Sequence, residues 1–217
     1  MKTTTNIGIF AVVAFVAGIA GMSLSSGTME LQNSDTSSTM DGTSILGHIE
    51  VIQTDSEGNI KSYQQTDNTI VTEGRNCTAM LLFGNNTACN AKSASGLGTF
   101  TVIGVGNGTG LITDRDLAVL NSEVTGDGLA RKTGSLGTWT PASNSTAGAL
   151  QRITASFTYT GTQTSNPINQ AGLFNSTSTG NDLAFALKNF PSTVSMNPND
   201  SLTVNWDITI SGTDAVS

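Results

Sequence analysis

Little in this chain of 217 residues is charged. Asp, Glu, Lys and Arg make up 12% of it, about half of the usual share, so its surface has to be built from Ser, Thr, Asn, Gln and Gly. What charge there is leans acidic, 16 residues against nine basic. The only adjacent basic pair, Arg131-Lys132, reads as a solvated strand end. Nucleic-acid binders carry a clustered basic face, and none is present here. Histidine occurs once, at His48, and cysteine twice, at Cys77 and Cys89. Without a Cys-x-x-Cys and with a lone histidine, a zinc centre has too few ligands at too irregular a spacing. The same scarcity argues against a serine nucleophile, because His48 is the only base on offer and no Gly-x-Ser-x-Gly elbow accompanies it. His48 reads as a surface or rim residue of a strand.

A long membrane-spanning run is also missing. Lys2 and a polar stretch to Asn6 precede an apolar run from Ile7 to Met22 and then small residues from Ser23 to Gly27. That is the layout of an export signal, and its apolar run is shorter than the roughly 20 residues a helix needs to cross a bilayer. The expectation is a leader over residues 1–27 that is cleaved, with retention as an N-terminal anchor as the alternative. Membrane contact is then confined to this segment before cleavage, and the mature chain is extracellular or held at the cell surface. Loss of Lys2 with the leader takes the formal charge from −7 to −8.

An extracytoplasmic address gives the cysteines and asparagines a meaning. An even, minimal pair of cysteines in an exported chain reads as a disulfide, Cys77 to Cys89, with two free buried thiols as the alternative. Closing so short a loop is worth on the order of 3 kcal/mol. Asn-x-Ser/Thr occurs at Asn76, Asn85, Asn107, Asn144, Asn175 and Asn199. These are candidate glycosylation sites, although a chain so rich in Asn, Ser and Thr also produces such triplets by chance. Asn76 is the weakest of them, since it falls in an expected helix beside Cys77.

Residues 28–44 are polar, with Ser34-Asp-Thr-Ser-Ser-Thr39 at their centre, and read as a flexible tail. Met29 and Leu31 are its apolar fragment, suited to filling pockets if the tail adds a strand to a neighbour's sheet edge. From Ile45 onward, over residues 45–217, one domain is expected. Ile45, Ile49 and Val51 alternate with Leu46, His48, Glu50 and Ile52, Asp55 to Asn59 supply a turn, and Ile60 to Thr66 returns as a hairpin partner. The spacing of Cys77, Met80 and Leu81 predicts a helix over 72–83, capped by Thr72, and a short helical turn is expected over 113–120, capped by Thr113. Phe100–Val105, Ile153–Tyr159, Ile168–Phe174, Leu183–Leu187 and Leu202–Ile210 read as strands. The whole predicts an all-β fold, an antiparallel sandwich of about eight strands with one short helix.

Motifs for chemistry stop short. Gly104-Val-Gly-Asn-Gly-Thr-Gly110 follows a strand, as a phosphate-cradling loop does, but Leu111-Ile112 stands where a Walker loop has Lys-Ser/Thr, and the dinucleotide spacing is broken. It reads as a sharp strand exit. Asp114/Asp116 and Asp182/Asp200 are acidic pairs with no further signature of a glycoside hydrolase. Asp55 to Asn59 and Gly126-Asp127-Gly128 could offer oxygens to calcium, yet turn chemistry explains them. No catalytic residue, metal or cofactor is expected.

The order of segments carries a resemblance. Asn68-Thr-Ile-Val-Thr-Glu-Gly74 opening a helix, Phe100 to Gly110, Asp116-Leu-Ala118, Ile153 to Tyr159, Ile168-Asn-Gln-Ala-Gly-Leu-Phe174, Leu183-Ala-Phe-Ala-Leu187 and Asp200 to Ile210 together resemble the body of bacteriophage and prophage tail-associated β-sandwich proteins, over residues 48–212. The leader, cysteine pair and sequons depart from that group and look more like secreted surface proteins of archaea. Both resemblances imply structure and assembly, and neither brings catalytic residues. The expected function is a non-enzymatic, self-associating subunit of a cell-surface filament or coat. The alternatives are a carbohydrate- or surface-binding module, in which Trp139 beside Thr140-Pro141 stacks on a sugar ring, and a virus-encoded tail or virion protein.

Overall fold

A computed structural model describes residues 42–83, 99–117, 119–143, 148–179 and 183–213, with side chains described within 44–211. The expected leader and Met29, Leu31, Asn85, Cys89 and Asn144 lie outside these residues. Alternation builds the first hairpin. Strand β1 (Gly42–Thr54) turns Ile49 and Val51 inward and Leu46, His48 and Glu50 outward, and β2 (Ile60–Asp67) returns beside it. The turn between them is held by Asp55, whose Oδ1 accepts the N–H groups of Glu57 and Asn59 at 2.9 and 2.8 Å, while Gly58 adopts a φ of 88°. Those bonds from Asn59 and Glu57 outweigh the small burial effect and hold the Asp55 carboxyl below its ordinary range. The carboxylate is thus occupied by its own loop, which is turn chemistry.

The chain then leaves the first sheet. Strand β3 (Thr69–Ile70) joins a second sheet and leads into helix α1 (Thr72–Leu82). Strands β4 (Val102–Gly106), β5 (Lys132–Thr133), β6 (Ser135–Leu136), β7 (Ala149–Thr158), β8 (Asn166–Phe174), β9 (Ala184–Met196) and β10 (Ser201–Thr213) complete the fold. Two five-stranded antiparallel sheets result, in the orders β2-β1-β10-β7-β6 and β3-β9-β8-β4-β5. Three of the ten strands, β3, β5 and β6, are only two residues long, too short to announce themselves as alternating patterns.

The core lies between the sheets. Ile49, Val51, Phe157, Leu202, Val204 and Trp206 from the first sheet meet Ile103, Val105, Ile168, Leu173 and Met196 from the second, all essentially closed to solvent. Burial of each large side chain contributes roughly 1.5–3 kcal/mol. The second sheet is covered on its other face as well. Val71, Leu120, Ile112 and Leu117 pack on Val102, Phe174, Ala184 and Leu187, so all five residues of β4 are buried.

Of the short helical turn expected over 113–120, the described residues form a turn at Arg115-Asp116 and no helix. The stretch is irregular because its apolar residues reach down onto a sheet, while Asp114 Oδ1 accepts the Asp116 N–H at 2.9 Å and Asn189 Oδ1 accepts the Ile112 N–H at 2.6 Å. Such side-chain bonds to the backbone compete with helix formation. Thr72 likewise does not cap α1. Val71 holds the cap position, and the Thr72 hydroxyl donates to Asp116 Oδ1 at 2.7 Å instead. Arg131 is not solvated either. Its side chain is 2% exposed, ion-paired with Glu123, with Nη2 2.7 Å from Oε2 and the guanidinium 3.5 Å over the Phe174 ring. Strand β9 runs through Pro191 to Met196, well past its expected end at Leu187. This is tolerated because the β8 register slips there, with Ile168 opposite Val194 and Gln170 opposite Asn189.

Candidate interaction surfaces

The described carboxylates of interest are committed to structure. Asp200 is 3% exposed and accepts from Lys61 Nζ at 2.7 Å, Gln53 Nε2 at 2.8 Å and the Asn197 N–H at 2.9 Å. Burial pushes its carboxyl up, but the bonds from Lys61, Asn197 and Gln53 outweigh this and hold it below its ordinary value. Asp182, its suggested partner, lies outside the described residues. Asp114 and Asp116 are bound to their own turn and to Thr72. Glu50, Arg152 and Asp207 form a network on the outer face of the first sheet, with Arg152 Nε and Nη2 at 2.7 and 2.6 Å from Asp207. His48 sits at its rim, Nδ1 3.1 Å from Asp67 Oδ1. Among the described residues no group of three His, Cys, Asp or Glu side chains is placed to hold a metal, and no helix is long and apolar enough to cross a membrane.

The glycine-rich stretch ends β4 and does not face a helix. The Asn107 N–H donates to Ser122 O at 3.0 Å, its carbonyl accepts from Asn169 Nδ2 at 3.0 Å, and the loop packs onto Asn121 and Ser122. Among the described sequons, Asn76 on α1, Asn107 and Asn199 are exposed, and Asn199 stands in a turn with a φ of 67°. Asn175 differs. It is 9% exposed and its Oδ1 accepts the Leu183 N–H at 2.8 Å, so in the folded chain its carboxamide is structural and has no room for a sugar. Cys77 is buried against Leu183 on the inner side of α1 and is not free. Trp206 is core, and Trp139 is 60% exposed in the loop between β6 and the Thr140–Leu150 bridge.

Sheet edges are where the molecule is open. Among the described residues, edge strand β2 runs eight residues with Ile60 and Tyr63 exposed on it, and two-residue β3 leaves Lys188–Met196 of β9 without a ladder partner on that side. Edges of that length are templates for pairing with another chain. The opening continues past the end of β2. Strand β1 pairs with β10 along its whole length, from Gly42–Thr213 to Thr54–Ser201, but with β2 only from His48 onward. At Asn68 the chain crosses to the second sheet, donating its N–H to Gly47 O at 2.9 Å as it leaves.

A cavity of about 600 Å³ occupies the gap this leaves, lined by Ile45, Leu46, Asn68, Ile70, Arg75 and Arg115 among others. Arg75 Nη2 reaches only the Thr72 hydroxyl, at 3.3 Å, and among the described residues neither arginine has a carboxylate within ion-pair distance. The Asn68 carboxamide is packed against Gly47, and both its polar atoms are buried with no hydrogen-bond partner among the described residues. Sequence patterns do not point to this site. Its members are scattered from Ile45 to Arg115 and share no spacing; only the two arginines, in an acidic chain, are a signal. Comparison with family models, curated proteins and solved structures found no match.

Proposed function

We propose that the chain is a non-enzymatic, exported structural protein that associates with copies of itself into a cell-surface filament or coat. The observation that carries this reading is the length of strand edge without a ladder partner among the described residues, Ile60–Asp67 continuing into Gly42–Leu46 on one sheet and Lys188–Met196 of β9 on the other. An edge of that length in a protein that stayed monomeric would be a hazard, and natural sheets blunt such edges. The leader read in residues 1–27, the sparsely charged surface, and the likeness in segment order to phage-tail sandwiches and archaeal surface proteins support the same reading. A Cys77–Cys89 bridge and glycans at Asn107 and Asn199 belong to it as features of an extracytoplasmic chain. Sedimentation velocity on the purified full-length product across a wide range of concentration tests it. Concentration-dependent growth beyond the monomer is expected, and a single monomeric species throughout would refute it.

Trp139 supports a second reading, a carbohydrate-binding module. An indole more than half exposed on a loop tethered to the sheet by the Gly137–Arg152 backbone bond is well placed to stack on a sugar ring. On a glycan array, binding by the wild type that is lost in Trp139→Ala favours this module. No binding by either protein removes it.

A further inference from the structure

The outward backbone of edge strand β2 can be read residue by residue. In an antiparallel strand the N–H and C=O of one residue point to the same side, and successive residues alternate sides. Because the Asn68 N–H turns to Gly47 O of β1, Gln64 and Thr66 also face β1. Tyr63, Gln65 and Asp67 then hold their backbone groups away from it, with no ladder partner among the described residues. A register shift opposite Gln53 and Thr54 sets Lys61 off this alternation, and its ammonium reaches Asp200 at 2.7 Å with donors to spare. The strand therefore carries a positive side chain near its start and a negative one, Asp67, at its end. Lysine on an edge is a common guard against pairing, but here a matching acid stands on the same edge.

One antiparallel pairing of this edge with its own copy answers all of these groups. A two-fold axis at Gln64 sets Tyr63 opposite the partner's Gln65, and Gln65 opposite the partner's Tyr63. Both members of each pair aim their backbone groups at the other, so the two pairs exchange about four hydrogen bonds. Asp67 comes opposite the partner's Lys61, and the reverse pair repeats this at the other end, so each charge meets its opposite. Tyr63 and the partner's Tyr63 lie diagonally across the axis, roughly 7–8 Å apart and within reach for aromatic side chains. Any other axis takes Asp67 away from the partner's Lys61. We propose that β2 pairs antiparallel with β2 of a second copy about a two-fold axis at Gln64, joining the two first sheets into one. The contact is isologous and closes on itself, so it gives a dimer, the unit that a filament or coat assembles through other surfaces. This rests on the self-association proposed above and names its first contact.

Variants of the full-length protein test it. Asp67→Lys sets lysine against lysine at both ends of the pairing and should weaken the dimer roughly tenfold in sedimentation velocity. Its only printed side-chain bond is the exposed one to His48, so the fold should not suffer. Gln65→Pro removes an outward N–H that β1 does not use, which edge strands tolerate, and should weaken the dimer at least roughly tenfold. Gln64→Cys places two thiols at directly opposed positions, within disulfide reach. Mild oxidation should give a covalent dimer joined at position 64, mapped by mass spectrometry, whereas Ser62→Cys and Thr66→Cys should not join to themselves. Melting of each variant checks that the sandwich persists; if Gln65→Pro melts early, Asp67→Lys and the cysteine series decide. A wild type that stays monomeric overturns both this contact and the reading it rests on. A wild type that assembles, with Asp67→Lys and Gln65→Pro assembling at the same concentration, overturns the contact and leaves self-association standing. Self-joining of Ser62→Cys or Thr66→Cys in place of Gln64→Cys overturns the axis.

Discussion

Replacing Asp200 by asparagine tests how the corner of the sandwich is held. One carboxylate there joins three pieces of chain: Gln53 near the end of β1, Lys61 at the start of β2 and Asn197 in the turn before β10. The carboxamide keeps the shape but offers one acceptor oxygen in place of two and a new donor. All three donors meet one oxygen, Oδ2, so the asparagine carbonyl can take its place and what is lost is the charge that strengthens the bonds. Gln53 keeps its bond to Ser195 O at 2.8 Å, and Lys61, about a third exposed, can turn to water. Two buried bonds to a charged group that become bonds to a neutral one lose about 1 kcal/mol each, and the ion pair adds little at that exposure. Asp200→Asn should therefore lose about 2 kcal/mol near neutral pH, a fall of roughly 4–8 °C in melting temperature for a domain of this size. The sign with pH follows from the lowered carboxyl of Asp200. Its contribution is complete above the unfolded-state value, about 4, and is lost as pH falls through the folded-state value below it. Calorimetric melts of both proteins from neutral pH down into the acid range should show the gap narrowing at the acid end. A variant that melts together with the wild type at neutral pH, or a gap that is constant with pH, would refute the reasoning.

Arg131→Ala should cost about 3–5 kcal/mol in urea unfolding, because it strands Glu123 and removes the group over Phe174, whereas Arg131→Met with Glu123→Leu should return most of that loss. Equal destabilisation by both would show that packing, not the stranded charge, dominates. Gly74→Val should lose about 1–3 kcal/mol in the same assay, since any Cβ at 74 meets the Phe185 backbone and forces α1 off β9; a neutral result would mean that the helix is not seated there.

Legibility in the sequence tracks how locally each element is determined. The β1–β2 hairpin can be read from alternation and from Asp55 and Gly58 in its turn, and β7 and β10 from their period of two, because each of these strands has one buried face. Strand β4 and the first half of β9 are buried on both faces and read as short apolar runs without a period. Residues 111–120 have an apolar spacing that a helix shares with an irregular stretch lying on a sheet, and only the sheet beneath distinguishes them. Arg131 reads as solvated because its partners, Glu123, Phe174 and Ser176, lie apart from it in sequence and meet it only in the folded sheet. The cavity beside β1 is the least legible. It exists because the chain crosses between sheets at Asn68 and leaves Gly42–Leu46 without a partner on that side among the described residues, and no local pattern encodes where a strand stops being paired.

Electron microscopy of the native cell surface, with mass spectrometry of the isolated structures, tests the central claim most directly. The account predicts filaments or a coat whose principal subunit is this chain, with its first residues removed and Cys77 joined to Cys89. Recovery of the chain only as an intracellular monomer, starting at Met1 with both thiols reduced, would contradict it.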